Sequence, residues 1–190
     1  MQYSEVSDLP IISEDDAAGE VANIYEQYKR EMQTPYIPNI MKVLAISPSA
    51  LAFHWDFLKS LSKNGTLPEA LRYMILYTIA AYKDSRYCSA GNELTCRTLG
   101  IDEATIRTLV EDVDSITPHR IRQIIKFALQ VALDPQGLTE EDYTRVRDSG
   151  ISDEEMVEII QLAAISNYMN TMSDALRVPI EQIVSTALRS

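Results

Sequence analysis

The sequence predicts an all-α protein of eight to ten helices, and three observations carry that prediction. Helix-start signals recur along the chain, at Ser47-Pro48, Pro68-Glu69, Asp102-Glu103, Thr117-Pro118 and Ser152-Asp153-Glu154-Glu155. Between them, apolar residues recur at three- and four-residue spacing, as in Ile121, Ile124, Ile125, Ala128, Leu129 and Ala132. No stretch alternates with period two for long enough to make a strand, and six glycines and eight prolines are few for a turn-rich β architecture.

Residues 1–13 read as an extended arm, with Leu9-Pro10-Ile11-Ile12 packing on the body or on another subunit. Ser13-Glu14-Asp15-Asp16 reads as an N-cap with an acidic first turn, opening a helix that carries Ala17, Val21, Ile24, Tyr25 and Tyr28. Thr34 to Pro38 is a loop and Asn39 to Ile46 a short apolar helix. Pro48 starts a helix with Leu51, Phe53, Trp55, Phe57 and Leu58 that stops at Asn64-Gly65. His54 lies within it, and a lone histidine there reads first as a packed or hydrogen-bonded core residue.

Glu69 opens a helix apolar enough to be buried. A polar break at Lys83-Asp84-Ser85 separates it from a second helix that ends at Gly100. A short helix follows to Val110, then one from Thr117-Pro118 to Ala132, a turn at Asp134 to Gly137, a charged helix to Gly150, a long helix from Ser152 to Leu176, and a last one from Ile180 to Leu188. The segments starting at Pro68 and Asp153 share an acidic start, an apolar middle and a late aromatic, which hints at two structurally related halves within one domain of 190 residues.

The formal net charge of −11 disfavours nucleic-acid binding, which needs a basic surface to neutralise phosphates. No apolar run reaches membrane-spanning length, and Met1 to Glu5 lacks the basic and apolar regions of a signal peptide, so a cytoplasmic location is expected. Two cysteines make no disulfide framework, and two distant histidines without an acidic or histidine partner at helical spacing argue against a metal site. No phosphate loop or G-x-G-x-x-G is present, and no cofactor is expected.

One residue stands apart. Cys88 falls in the first turn of its helix, where the positive end of the helix dipole stabilises a thiolate; the alternative is a small buried apolar residue. Cys96, eight residues on, stands about 12 Å away along a helix, beyond the ~7 Å limit for a disulfide, and reads as a buried packing residue.

Three segments resemble the carboxymuconolactone decarboxylase superfamily in its alkylhydroperoxidase D-like, peroxidase-related branch: Pro38 to Pro48, Leu67 to Gly100, and Gly150 to Pro179. The resemblance implies an all-α AhpD-like bundle assembling as a dimer, trimer or hexamer. It also implies a peroxidase motif of glutamate, twelve residues on a C-x-x-C, and a histidine four residues after the second cysteine. Here the second cysteine is Cys88, the first falls on Ser85, the histidine on Asn92 and the glutamate on Tyr73. Ser85 forms no disulfide, and Asn92 and Tyr73 do not replace a histidine–glutamate relay.

The expected function is therefore a thiol peroxidase or peroxiredoxin-type antioxidant working through Cys88, with Ser85, Asn92 and Tyr73 around it and an external thiol as reductant. The alternatives are a non-catalytic oligomeric binder of small molecules, and a decarboxylase-type lyase using Arg72, Arg86, His54 or His119.

Overall fold

The computed structural model describes residues 9–63 and 65–189, the side chains of 60–63 excepted. Residues 1–8 of the expected arm, and Asn64 of the expected helix stop, lie outside the described residues. The described residues form ten α-helices and two short 3-10 turns, with no strand.

Expected helix starts coincide with observed ones where a side chain or proline sets them. Pro48 opens α3 (Pro48–Lys63), and α4 (Glu69–Tyr82) follows Pro68. Asp102 accepts from the Thr105 N–H and caps α6 (Glu103–Glu111). Pro118 precedes α7 (His119–Leu133). Thr139 and Asp142 form a reciprocal capping box on α8 (Glu140–Asp148), as do Ser152 and Glu155 on α9 (Asp153–Ala175). The remaining elements are α1 (Gly19–Met32), α2 (Asn39–Leu44), α5 (Arg86–Thr98) and α10 (Gln182–Ala187).

One expected boundary is corrected. Ser13 does not cap α1. Its hydroxyl bonds the Asp16 carboxylate and the Asp16 N–H within an isolated turn, and α1 starts at Gly19, whose φ of +57° turns the chain. The Lys29–Glu14 ion pair at 2.7 Å ties this turn to α1. The arm's described residues pack on their own chain: Ile12 donates to the Lys42 carbonyl and accepts from the Tyr25 hydroxyl.

Two apolar clusters form the core. The larger joins α4, α6, α7 and α9 through residues such as Ile75, Ile79, Leu109, Ile124, Ile125 and Ile159, all fully buried. The smaller joins α1, α2 and α3 around Ile37, Met41, Leu51 and Trp55, and takes Met172 from the end of α9 and Val178 from the segment after it. The two segments likened to each other in the sequence are α4 and α9, which pack side by side. Helix α9 packs against α4, α5 and α7 and keeps one stripe, with Val157, Gln161, Ala164 and Thr171, exposed.

Because α9 starts with both members of its capping box in place, Ser152→Ala should lower unfolding stability by about 1 kcal/mol. Val157→Ala, on the exposed face of the same helix, should change it by less than about 0.5 kcal/mol. Urea denaturation of the two variants beside the parent protein checks both.

Candidate functional site

The chain leaves α4 through Asp84, whose φ of +54° reverses it, and enters α5 through Ser85 in an extended conformation. This places Cys88 on the third residue of α5, facing the last turns of α9. Two side-chain hydrogen bonds join the helices there. The Ser85 hydroxyl donates to Asp174 Oδ1 at 2.9 Å, so it does not cap its own helix, and Cys88 Sγ stands 3.3 Å from Ser173 Oγ.

The thiol is not activated in the way its helix position predicts. Burial pushes the Cys88 thiol above its ordinary value; hydrogen bonds from Ser173 and Ser85 oppose the rise, and the Asp174 carboxylate adds to it. A helix terminus contributes about 0.3–1 kcal/mol at most sites, while desolvation of a buried acid shifts its pKa by up to several units, so burial wins. Asp174 is itself the anion beside the α5 N-terminus, held there by Ser85. Cys88 is therefore a neutral thiol near pH 7 in the unliganded protein.

Cys88 lines a cavity of about 320 Å³ lying where the two clusters meet. Tyr73 and Asn92 line it too, so three of the four motif positions share one space; Ser85 is buried behind the thiol and does not. Burial raises the Tyr73 phenol, with a further rise from Glu69, so it is a neutral hydrogen-bonding group. Cys96 is fully buried in the larger cluster and pushed up to about 12, chiefly by burial and then by Glu93. Both cysteines are free.

Several residues of this site carry no signal in the sequence. Glu181, between α9 and α10, accepts from the Asn39 N–H at 2.6 Å and from the Tyr87 hydroxyl at 2.7 Å, and closes one wall. Tyr87 Oη in turn accepts from the Ile40 N–H, so this wall joins α2, α5 and the C-terminal segment. From α9 come Ser166 and Asn170, two turns and one turn before Ser173.

Of the two readings of His54, the packed one fits: it is fully buried, and it lines the cavity with no hydrogen-bond partner at either ring nitrogen among the described residues. Of the polar groups considered for a carboxylate, Arg72 reaches the cavity wall, while Arg86 and His119 are exposed and His119 pairs with Gln123. No group of three metal-ligating side chains occurs among the described residues, and no helix of theirs is long and apolar enough to cross a membrane.

Burial lowers His54 from its ordinary 6.5 to about 4. A depressed histidine means that the unfolded chain binds more protons between those values, so stability is complete above pH 6.5 and falls as the pH drops towards 4. The loss amounts to roughly 3 kcal/mol. His54→Gln should remove that part of the slope, read as the difference between parent and variant urea midpoints at pH 7 and pH 4.5. A second expectation concerns the thiol: Cys88 alkylation by iodoacetamide at pH 8 should be slower than that of a free thiol, and slower still in Ser173→Ala, which loses a bond favouring the thiolate.

No protein-family model matches the sequence, and no curated protein matches it. Solved structures do match the fold. An alkylhydroperoxidase AhpD core, described as an uncharacterized peroxidase-related protein from Ralstonia eutropha JMP134, superposes with a TM-score of 0.84 at 19% identity, covering 94% of each chain. A peroxidase-related protein from Silicibacter sp. TM1040 gives 0.77 at 19% identity over 97% of this chain and 92% of that one. The debrominase Bmp8, as a cysteine-to-alanine variant in complex with 2,3,4-tribromopyrrole, gives 0.79 at 16% identity over 97% and 98%. The ten helices, their order and these superpositions make the chain a protein of the AhpD-like fold.

Proposed function

We propose that this protein is a single-thiol peroxidase for organic hydroperoxides. The observation that supports it is the placing of Cys88 Sγ at the wall of an apolar and aromatic cavity, hydrogen-bonded by hydroxyls, with no second cysteine beside it. In the reaction the sulfur attacks the terminal oxygen of the hydroperoxide. The S–O bond forms as the O–O bond breaks, the thiol is oxidised to sulfenic acid, and the alkoxide leaves as the alcohol with the thiol proton. One equivalent of an external thiol displaces water from the sulfenic sulfur as a mixed disulfide. A second equivalent restores Cys88 and departs as the external disulfide.

The hydroxyls of Ser173 and Ser85 favour the thiolate that must form, and the neutral phenol of Tyr73 and the amide of Asn92 face the same space. The peroxidase-related neighbours support the reading, and the debrominase complex supports a ring-sized occupant for such a fold. Assembly with further copies belongs to the same proposal: Phe53 is 61% exposed, stacks with Phe57 and meets Tyr168 edge-on, forming an aromatic patch that a second copy would cover. The raised thiol beside Asp174 favours the rival reading, a binder of small molecules without redox turnover.

Intact mass after brief exposure of the reduced protein to cumene hydroperoxide, with a sulfenic-acid trap, separates the two. A trapped adduct is expected in the parent protein and absent in Cys88→Ser. An unmodified Cys88 under conditions that oxidise a free thiol overturns the peroxidase reading. Asp174→Asn, which removes a charge opposing the thiolate, should speed adduct formation several-fold.

A further inference from the structure

The cavity contains two buried polar side chains that the thiol chemistry leaves unused. His54, fully buried on α3, has no hydrogen-bond partner at Nδ1 or Nε2 among the described residues. Asn170, 1% exposed on α9, has none at Oδ1. Both line the cavity. Asn170 Nδ2 faces Ser166 Oγ at 3.4 Å, which orients the amide and leaves Oδ1 as the open atom. An unsatisfied buried polar atom costs about 1–3 kcal/mol, so two such groups in one space call for a partner from outside the chain.

The chemistry of that partner follows from the wall. Asn170 Oδ1 requires a donor, and a neutral imidazole offers one donor and one acceptor. The charged lining residues are Glu69, Glu181 and Arg72, a negative balance that disfavours an anion. Leu58, Leu162, Ile165 and Met169 supply an apolar bed. A volume of about 320 Å³ is at the small end for ligand pockets and suits one or two rings. Asn170 lies three residues before Ser173, about 4.5 Å along the helix axis, and Ser173 Oγ touches the Cys88 sulfur. A group held by Asn170 is thus anchored one helical turn from the thiol.

We propose that the cavity takes a neutral molecule with a ring-sized apolar body and one O–H group, hydroxyl or hydroperoxyl, which donates to Asn170 Oδ1 and is held by the His54 imidazole. This names the substrate class of the proposed peroxidase and rests on that reading only for what Cys88 does next. His54 and Asn170 are positioning residues that set specificity.

Calorimetric titration of the reduced protein with phenol, toluene and benzoate, three molecules of similar ring size, tests it. Phenol should bind at least about tenfold tighter than toluene, because a site built to bond a hydroxyl rejects the analogue lacking it, and benzoate should bind most weakly. Asn170→Leu and His54→Phe should each bring phenol down to the toluene level while toluene binding persists, which also shows that the cavity is still formed. Equal binding of phenol and toluene by the parent protein overturns the proposal whether or not the variants fold. So does the absence of phenol binding at millimolar concentration, a preference for benzoate, or a phenol preference that survives in both variants. Titration needs no turnover. A phenol preference without a Cys88 adduct overturns the peroxidase reading alone, and an adduct without the preference overturns this one alone.

Discussion

The pairing of the α5 N-terminus with the last turns of α9 is the constraint on which the site depends. Ser85 donates to Asp174 and Cys88 meets Ser173, so two consecutive residues of α9 hold two residues one turn apart on α5. The clasp fixes which way the thiol faces. It also buries the sulfur and brings a carboxylate to the helix end where the thiolate would otherwise gain the dipole. The contact that positions the nucleophile therefore also restrains it: burial and the Asp174 carboxylate hold the thiol protonated, against the serine hydrogen bonds that favour the thiolate.

The clasp holds because α9 is anchored elsewhere. Its first turn is secured by a capping box and by the Arg120–Glu155 ion pair, its middle is locked into the larger cluster by Ile159, Leu162 and Ala163, and only its last turns reach the smaller cluster. One rigid element thus spans both clusters, delivering Ser166 and Asn170 to the cavity between them and Ser173 and Asp174 to the start of α5. On the opposite wall, α3 contributes His54 and the C-terminal segment contributes Glu181. Apolar burial around the cavity supplies the stability that lets its polar atoms remain without partners from the chain.

Much of the helix order was legible in the sequence, since it is written in local chemistry. Pro48, Asp102, Thr139 and Ser152 mark helix starts because each satisfies or omits a backbone donor within a few residues of itself. The same logic failed at Ser13. Its hydroxyl bonded a neighbouring N–H as a cap does, but the chain did not continue as helix until Gly19, and a side-chain bond of that kind also closes an isolated turn. Cys88 was legible as the residue to watch, and Tyr73 and Asn92 share its cavity. Asn170, Ser173, Asp174 and Glu181 were not, for each is an ordinary residue on a helix or in a loop until another element is laid against it.

Sequence by itself determined the all-α class, most of the helix boundaries, the position of the thiol in the first turn of α5, and the absence from this chain of a second cysteine three residues before it. These are matters of local hydrogen bonding, periodicity and covalent identity. Tertiary structure alone decided that the thiol is neutral, that Ser85 serves Asp174 rather than its own helix, and that a buried histidine faces a cavity with neither nitrogen bonded among the described residues. Desolvation and the field of neighbouring charges depend on residues 85 or more positions away in the chain. No reading of local pattern contains them, because only packing brings Asp174 and Ser173 to Ser85 and Cys88.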